Sequence, residues 1–242
     1  MFINYIKAGN VHPAFFIFSL KMAIIMSIPM LTGELKFPPV SQTSFDGILA
    51  MGGDVTPQRI LLAYRQGIFP WYEENMPVYW YYPNPRFVLF PQKLRMSKTV
   101  TSLIKKKSFE ITMNQNFTSV IENCKNLERR NQLGTWITND LMNTFVQLHK
   151  MGVAHSVEVW QRDELVGGLY GIKMGRVFFG ESMFSIVSNA SRFGFVKYVQ
   201  LLQSEGIQMI DCQVYTDYLA SMGAELVPAE KFTEFIHTLI KQ

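Results

Sequence analysis

The chain has 242 residues, 48% of them hydrophobic and 17% charged, with a net charge of +4 at pH 7 and an isoelectric point near 9.0. Such a chain can bury a large core in one or two domains, and its modest positive charge suits an anionic partner while falling well short of a dedicated nucleic-acid binder. Cys124 and Cys212 have no metal-ligand spacing and His12, His149, His155 and His237 are scattered, which argues against a disulfide framework or a metal centre and for a reducing, cytoplasmic setting.

Residues 1–36 form an apolar head. The stretch from Pro13 to Leu31 is broken by Lys21 and Pro29, whereas a spanning helix needs about 20 uninterrupted apolar residues. No small-residue cleavage site follows, as a signal peptide would require. The head is therefore not read as a membrane segment. Either Met22, Met26 or Met30 is the natural start, or the head packs on the body.

Phe37-Pro38-Pro39-Val40 opens a loop-rich region, and Gly52-Gly53-Asp54 leads into a helix. Thr56 suits the N-cap and Pro57 the first helical position; Ile60, Leu61, Tyr64 and Ile68 share one side, and Gly67 ends the helix. The segment 69–86 is rich in aromatic residues and prolines. Proline is excluded from the interior of a sheet, so this segment is expected to be a rigid surface piece. A boundary near Arg86 then divides a small N-terminal domain (37–86) from a larger one (87–242).

The larger region reads as a strand at 87–90, a helix at 98–107, a strand at 109–113 and helices at 117–126 and 139–151. A meander follows at 155–160, 164–172 and 176–184, with Arg162-Asp163 and Gly175 at the turns. A helix at 189–204, a strand at 208–212 and a helix at 229–241 close the chain. The class is α+β with a mainly antiparallel sheet, in an order that resembles the N-acetyltransferase-like α/β/α fold.

Three polar residues stand out in these apolar strands: Glu181, Asp211 and Gln213. Burying a polar group unpaired costs about 1–3 kcal/mol, so they are either used chemically or satisfied within a core network. Strand alternation puts Asp211 and Gln213 on one side and Cys212 on the other, in the core.

An ordered series of motifs makes the chain resemble one family, the bacterial leucyl/phenylalanyl-tRNA–protein transferases. The series includes Gly67-Ile68-Phe69-Pro70-Trp71, Pro83-Asn84-Pro85-Arg86, Gly134-Thr135-Trp136-Ile137 and His155-Ser156-Val157-Glu158-Val159-Trp160. It ends with Phe178-Phe179-Gly180-Glu181-Ser182, Asp211-Cys212-Gln213 and Ser221-Met222-Gly223-Ala224. The chain departs from the family pattern at Tyr81, Tyr82, Arg192 and Tyr218.

The resemblance implies transfer of leucine or phenylalanine, and methionine less well, from aminoacyl-tRNA to proteins or peptides with N-terminal Arg or Lys. The product is thereby marked for degradation, and no cofactor or metal is needed. It also implies site roles. Asp211, Gln213 and Glu181 would be catalytic. Leu169, Phe178, Met183, Phe195, Tyr198, Leu202 and Ile210 would line an aminoacyl pocket. Trp71 and Trp136 would stack on the terminal adenosine, and Lys98, Lys105 and Lys106 would meet phosphates.

Two alternatives stand beside this reading. An acyl-CoA-dependent N-acetyltransferase would want a glycine-containing amide-rich loop to cradle pyrophosphate, and residues 185–192 contain no glycine. An inactive tRNA- or peptide-binding module would not require Glu181, Asp211 and Gln213 together.

Overall fold

The computed structural model describes residues 28–127 and 135–240; most of the apolar head, Gly134 of the Gly-Thr-Trp-Ile motif and Lys241 lie outside them. Among the described residues no helix is long and apolar enough to cross a membrane.

A small four-stranded sheet is built from β1 (Met30–Leu31), β2 (Ile48–Gly52), β3 (Phe69–Pro70) and β4 (Tyr79–Tyr81), in the order β1-β2-β4-β3. The surface segment expected at 69–86 is not observed. Phe69, Trp80 and Tyr82 are buried, and the Trp80 indole N–H donates to the Gly52 carbonyl at 2.9 Å. Proline did not forbid this sheet, because Pro70 occupies its edge strand, and Pro83 and Pro85 follow β4 instead of interrupting it. Helix α1 (Pro57–Arg65) forms as its signals predict: Thr56 caps it by accepting from the Arg59 amide. Gly67 takes φ +73° beyond its end, where a Cβ would run into the Phe232 ring.

The large sheet has seven strands: β5 (Arg86–Leu89), β6 (Glu110–Met113), β7 (Ala154–Gln161), β8 (Glu164–Met174), β9 (Val177–Ser185), β10 (Met209–Gln213) and β11 (Glu225–Val227). Their order is β11-β5-β10-β9-β8-β7-β6, antiparallel throughout except for the β9–β10 pair. The expected α+β class with its mainly antiparallel sheet is therefore observed. Helices α2 (Lys98–Lys105), α3 (Phe117–Asn126), α4 (Asn139–Lys150), α5 (Ala190–Ser204) and α7 (Ala229–Leu239) fall within one or two residues of expectation at most ends. The short α6 (Asp217–Ser221) and strands β1, β2 and β11 are additional, as are β3 and β4 in the segment expected to lie on the surface.

The sheet separates two apolar bodies. On one face, residues of α3, α4 and α7 pack with Tyr64 of α1, Trp80 of β4 and Phe179 of β9. On the other, α5 supplies Phe195, Tyr198, Val199 and Leu202 against Leu169, Phe178 and Ile210 of the sheet. Each face removes many large side chains from water, at about 1.5–3 kcal/mol apiece, and that burial holds the strand ends in place.

Candidate active site

The site forms where two parallel strands part. β9 and β10 pair at Met209–Val177, Ile210–Phe178 and Asp211–Phe179, and the ladder ends there. Both strands carry an irregularity at the same level. The β8–β9 register shifts between Tyr170 and Gly171, which leaves Glu181 as the extra residue of a bulge. The β10–β5 register shifts between Asp211 and Gln213, and Gln213 adopts φ +62°. A Cβ on Gly171 would collide with the Phe179 carbonyl oxygen, so the close approach at the β9 bulge needs glycine.

Asp211 is fully buried and bound by Arg86, itself 1% exposed. Arg86 Nε donates to Oδ1 at 2.8 Å and Nη2 to Oδ2 at 2.6 Å. Three rings surround the guanidinium, with centroids at 4.6 Å (Phe232), 4.8 Å (Phe69) and 5.9 Å (Tyr82). Asp211 Oδ1 also accepts from the Gln213 backbone N–H at 2.9 Å, which holds the left-handed turn at Gln213. The Asp211 carboxylate thus meets the Gln213 backbone through a turn, not the plain alternation expected of a strand, while the Gln213 side chain turns to Glu181.

Across the gap, Gln213 Nε2 donates to Glu181 Oε1 at 3.2 Å, and the Tyr64 hydroxyl donates to the same oxygen at 2.6 Å. Burial of the carboxyl raises the Glu181 pKa to about 8. The Tyr64 and Gln213 hydrogen bonds pull it down, and the nearby charge of Asp211 pushes it up. Burial and the Glu181 charge both raise the Tyr64 pKa, so the phenol stays protonated and donates. Sequence reasoning gave no role to Arg86 or Tyr64. A buried Asp211 calls for a cationic partner, and Arg86 opening an apolar strand was the available signal; Tyr64 lay unremarked in the apolar stripe of α1.

The seven residues expected to line an aminoacyl pocket fall in one cluster, with Phe178 and Tyr198 edge-to-face at 5.1 Å. Six of them are buried and Met183 is half-buried. This cluster lies on the face of the sheet opposite the Arg86–Asp211 pair. The bulge at Glu181 explains how Met183 joins Phe178 there, since strict alternation would put them on opposite faces. Cys212 packs against this cluster, as expected, and burial pushes its thiol pKa up.

Trp71 and Trp136 are half-buried against the first apolar body. Their segments are tied by the hydrogen bond between the Tyr72 hydroxyl and Thr138 Oγ1, at 2.8 Å. Of the departures from the expected motifs, Tyr82 bonds Thr233 Oγ1 at 2.6 Å and Tyr81 stacks on Phe69. Lys98, Lys105 and Lys106 are exposed at the two ends of α2.

Two family models match the chain: "Leucyl/phenylalanyl-tRNA protein transferase" over residues 88–237 and its N-terminal domain over residues 53–84. A protein from Flavobacterium johnsoniae bearing that name is 48% identical over 203 residues, covering 84% of this chain and 96% of its own length. Another from Christiangramia forsetii is 50% identical over 203 residues, covering 83% and 96%. One from Syntrophus aciditrophicus is 47% identical over 217 residues, covering 90% and 91%.

Proposed function

The chain belongs to the leucyl/phenylalanyl-tRNA–protein transferase family, and on that premise we propose that it moves leucine or phenylalanine from aminoacyl-tRNA to the N-terminal Arg or Lys of an acceptor. The observation that carries the reading is the chain Arg86–Asp211–Gln213–Glu181–Tyr64, spread over both sides of the split between β9 and β10. The ester substrate is already activated, so the site has to position an amine and accept one proton.

An α-amine has a pKa of about 7.7–8.0, and Glu181 is raised to about 8. Proton transfer between them is nearly thermoneutral, which suits a general base working near neutrality. Asp211 is poorly placed to act as that base, because both its oxygens are engaged by Arg86 and one also by the Gln213 amide. Its part is to hold Gln213. The Gln213 amide nitrogen faces Glu181, so its carbonyl oxygen is free in chemical capacity to accept from the incoming amine, although it cannot hold a proton.

In the step itself, the amine nitrogen attacks the ester carbonyl carbon and passes a proton to Glu181. The carbon–oxygen bond to the ribose breaks, and Glu181 returns the proton to the departing oxygen. The aminoacyl side chain would enter the cluster of Leu169, Phe178, Met183, Phe195, Tyr198, Leu202 and Ile210 through the split. Trp71 and Trp136 would take the terminal adenosine, and Lys98, Lys105 and Lys106 the acceptor-stem phosphates.

The test is transfer of labelled leucine from leucyl-tRNA to a peptide beginning with Arg. Transfer is expected. Label passing from acetyl-CoA instead would replace this reading with the acetyltransferase one, and tRNA binding without transfer would reduce the protein to a binding module.

A further inference from the structure

Beyond the strand split, an open cleft of about 570 Å³ is lined by Ser185, Ser188, Asn189, Ser191, Arg192 and Tyr218, with the exposed Ile186 at its side. None of its lining residues is acidic. Arg192 is its cation, half-buried with its guanidinium 4.7 Å over the Tyr218 ring, and among the described residues no carboxylate lies within ion-pair distance of it. Stacking on an aromatic face orients a guanidinium while leaving its edge donors for a ligand. The exposed Ser188 adds a hydroxyl; the first amides of α5, on Ala190 and Ser191, are already bonded to the Val187 carbonyl and Ser185 Oγ, so the anion would be held by Arg192.

The position of this cleft points to its ligand. Ser185 ends β9 four residues after Glu181, and Tyr218 follows Gln213 by five, so the cleft lies on the side toward which both parallel strands run. At about 3.3 Å per strand residue, Ser185 stands roughly 13 Å from Glu181 along β9. A nucleic-acid strand that leaves an ester held at Glu181 in this direction would bring a phosphodiester to Arg192.

We propose that this cleft is a phosphate subsite, in which Arg192 binds a phosphodiester of the single-stranded 3′ end of the aminoacyl-tRNA and sets the depth to which the ester enters the strand split. The assignment rests on the transfer activity proposed above. An acidic acceptor protein is a competing ligand for the same cation, and a purely structural Arg192–Tyr218 contact is the third possibility.

The experiment compares the wild type with Arg192→Gln and Arg192→Lys on two donors: leucyl-tRNA, and a leucyl ester of adenosine that has no phosphate. Arg192→Gln is expected to raise KM for leucyl-tRNA about tenfold, as loss of one charge-assisted contact does, and to leave the adenosine ester unchanged. The slope of log affinity against log salt should shrink by about 0.7–0.9, the share of one phosphate. Arg192→Lys, which keeps the charge, should recover most of the loss. Equal losses on both donors would make the contact structural, a KM effect confined to the acceptor peptide would assign the cleft to the acceptor, and no change in either would remove the subsite. If the wild type transfers from neither donor, the activity itself is refuted, and direct tRNA titration of the same variants still decides whether Arg192 binds phosphate.

Discussion

The phenol of Tyr64 and the carboxylate of Glu181, 117 positions apart in the chain, meet at 2.6 Å. This contact joins a helix of the small N-terminal region to the split in the large sheet, and it places a donor from one on a buried carboxyl group of the other. The hydrogen bond favours the charged form of Glu181 and so opposes the effect of burial.

Tyr64→Phe removes that donor and keeps the ring. The Glu181 pKa should then rise further above its present value of about 8. The acid limb of kcat/KM against pH should move to higher pH, with kcat at pH 7 lowered by roughly tenfold. An unmoved limb would assign the limb to the substrate amine alone.

Glu181 also makes stability depend on pH. Its folded pKa, about 8, lies above the ordinary 4.5, so between these values the folded state holds the proton that the unfolded state releases. The stabilisation is complete below pH 4.5, declines as pH rises, and is gone above about 8. Urea midpoints measured across this window should fall with pH in the wild type, and Glu181→Gln should flatten this part of the dependence.

Asp211→Ala and Gln213→Ala should separate the fold from the chemistry. Removing Asp211 strands the buried Arg86 charge and should cost about 3–5 kcal/mol of stability. Removing the Gln213 side chain should cost about 1 kcal/mol, while kcat falls on the order of a hundredfold with tRNA affinity little changed. Arg86→Lys should fail nearly as badly as Asp211→Ala in denaturant melts, because an ammonium cannot make the two-pronged contact or fill the aromatic enclosure.

Trp136→Ala should weaken tRNA binding by about 1–3 kcal/mol, the value of one base stacked on an aromatic ring. The measurement is a titration with aminoacyl-tRNA; an unchanged dissociation constant would leave Trp136 a packing residue.

Neutralising Lys98, Lys105 and Lys106 one at a time should reduce the salt dependence of tRNA binding by about 0.7–0.9 per residue in contact. A lysine whose removal changes neither slope nor affinity lies outside the interface.

Local physics made most elements readable. Thr56 and Pro57 announce α1, the meander strands alternate with turns at Arg162-Asp163 and Gly175, and α5 carries its apolar side at helical spacing. These signals arise within a few residues, where capping and periodicity decide the conformation. The ordered motifs likewise led to the family, and the apolar residues named for the pocket fall in one cluster. Segment 69–86 misleads because its prolines carry no information on which strand becomes an edge.

By itself, then, the sequence determined the class of fold, the order of the main helices and of the strands of the large sheet other than β11, and the polar residues that an apolar sheet had to accommodate. Tertiary structure alone decided which partners those residues received. Arg86 and Asp211 lie 125 positions apart, and no local pattern encodes a pairing across that separation. Nor does alternation foresee the irregular registers at Glu181 and Gln213, since a bulge exists only relative to the strand beside it. Those two departures aim one carboxylate and one amide at each other, and only the folded chain could bring them about.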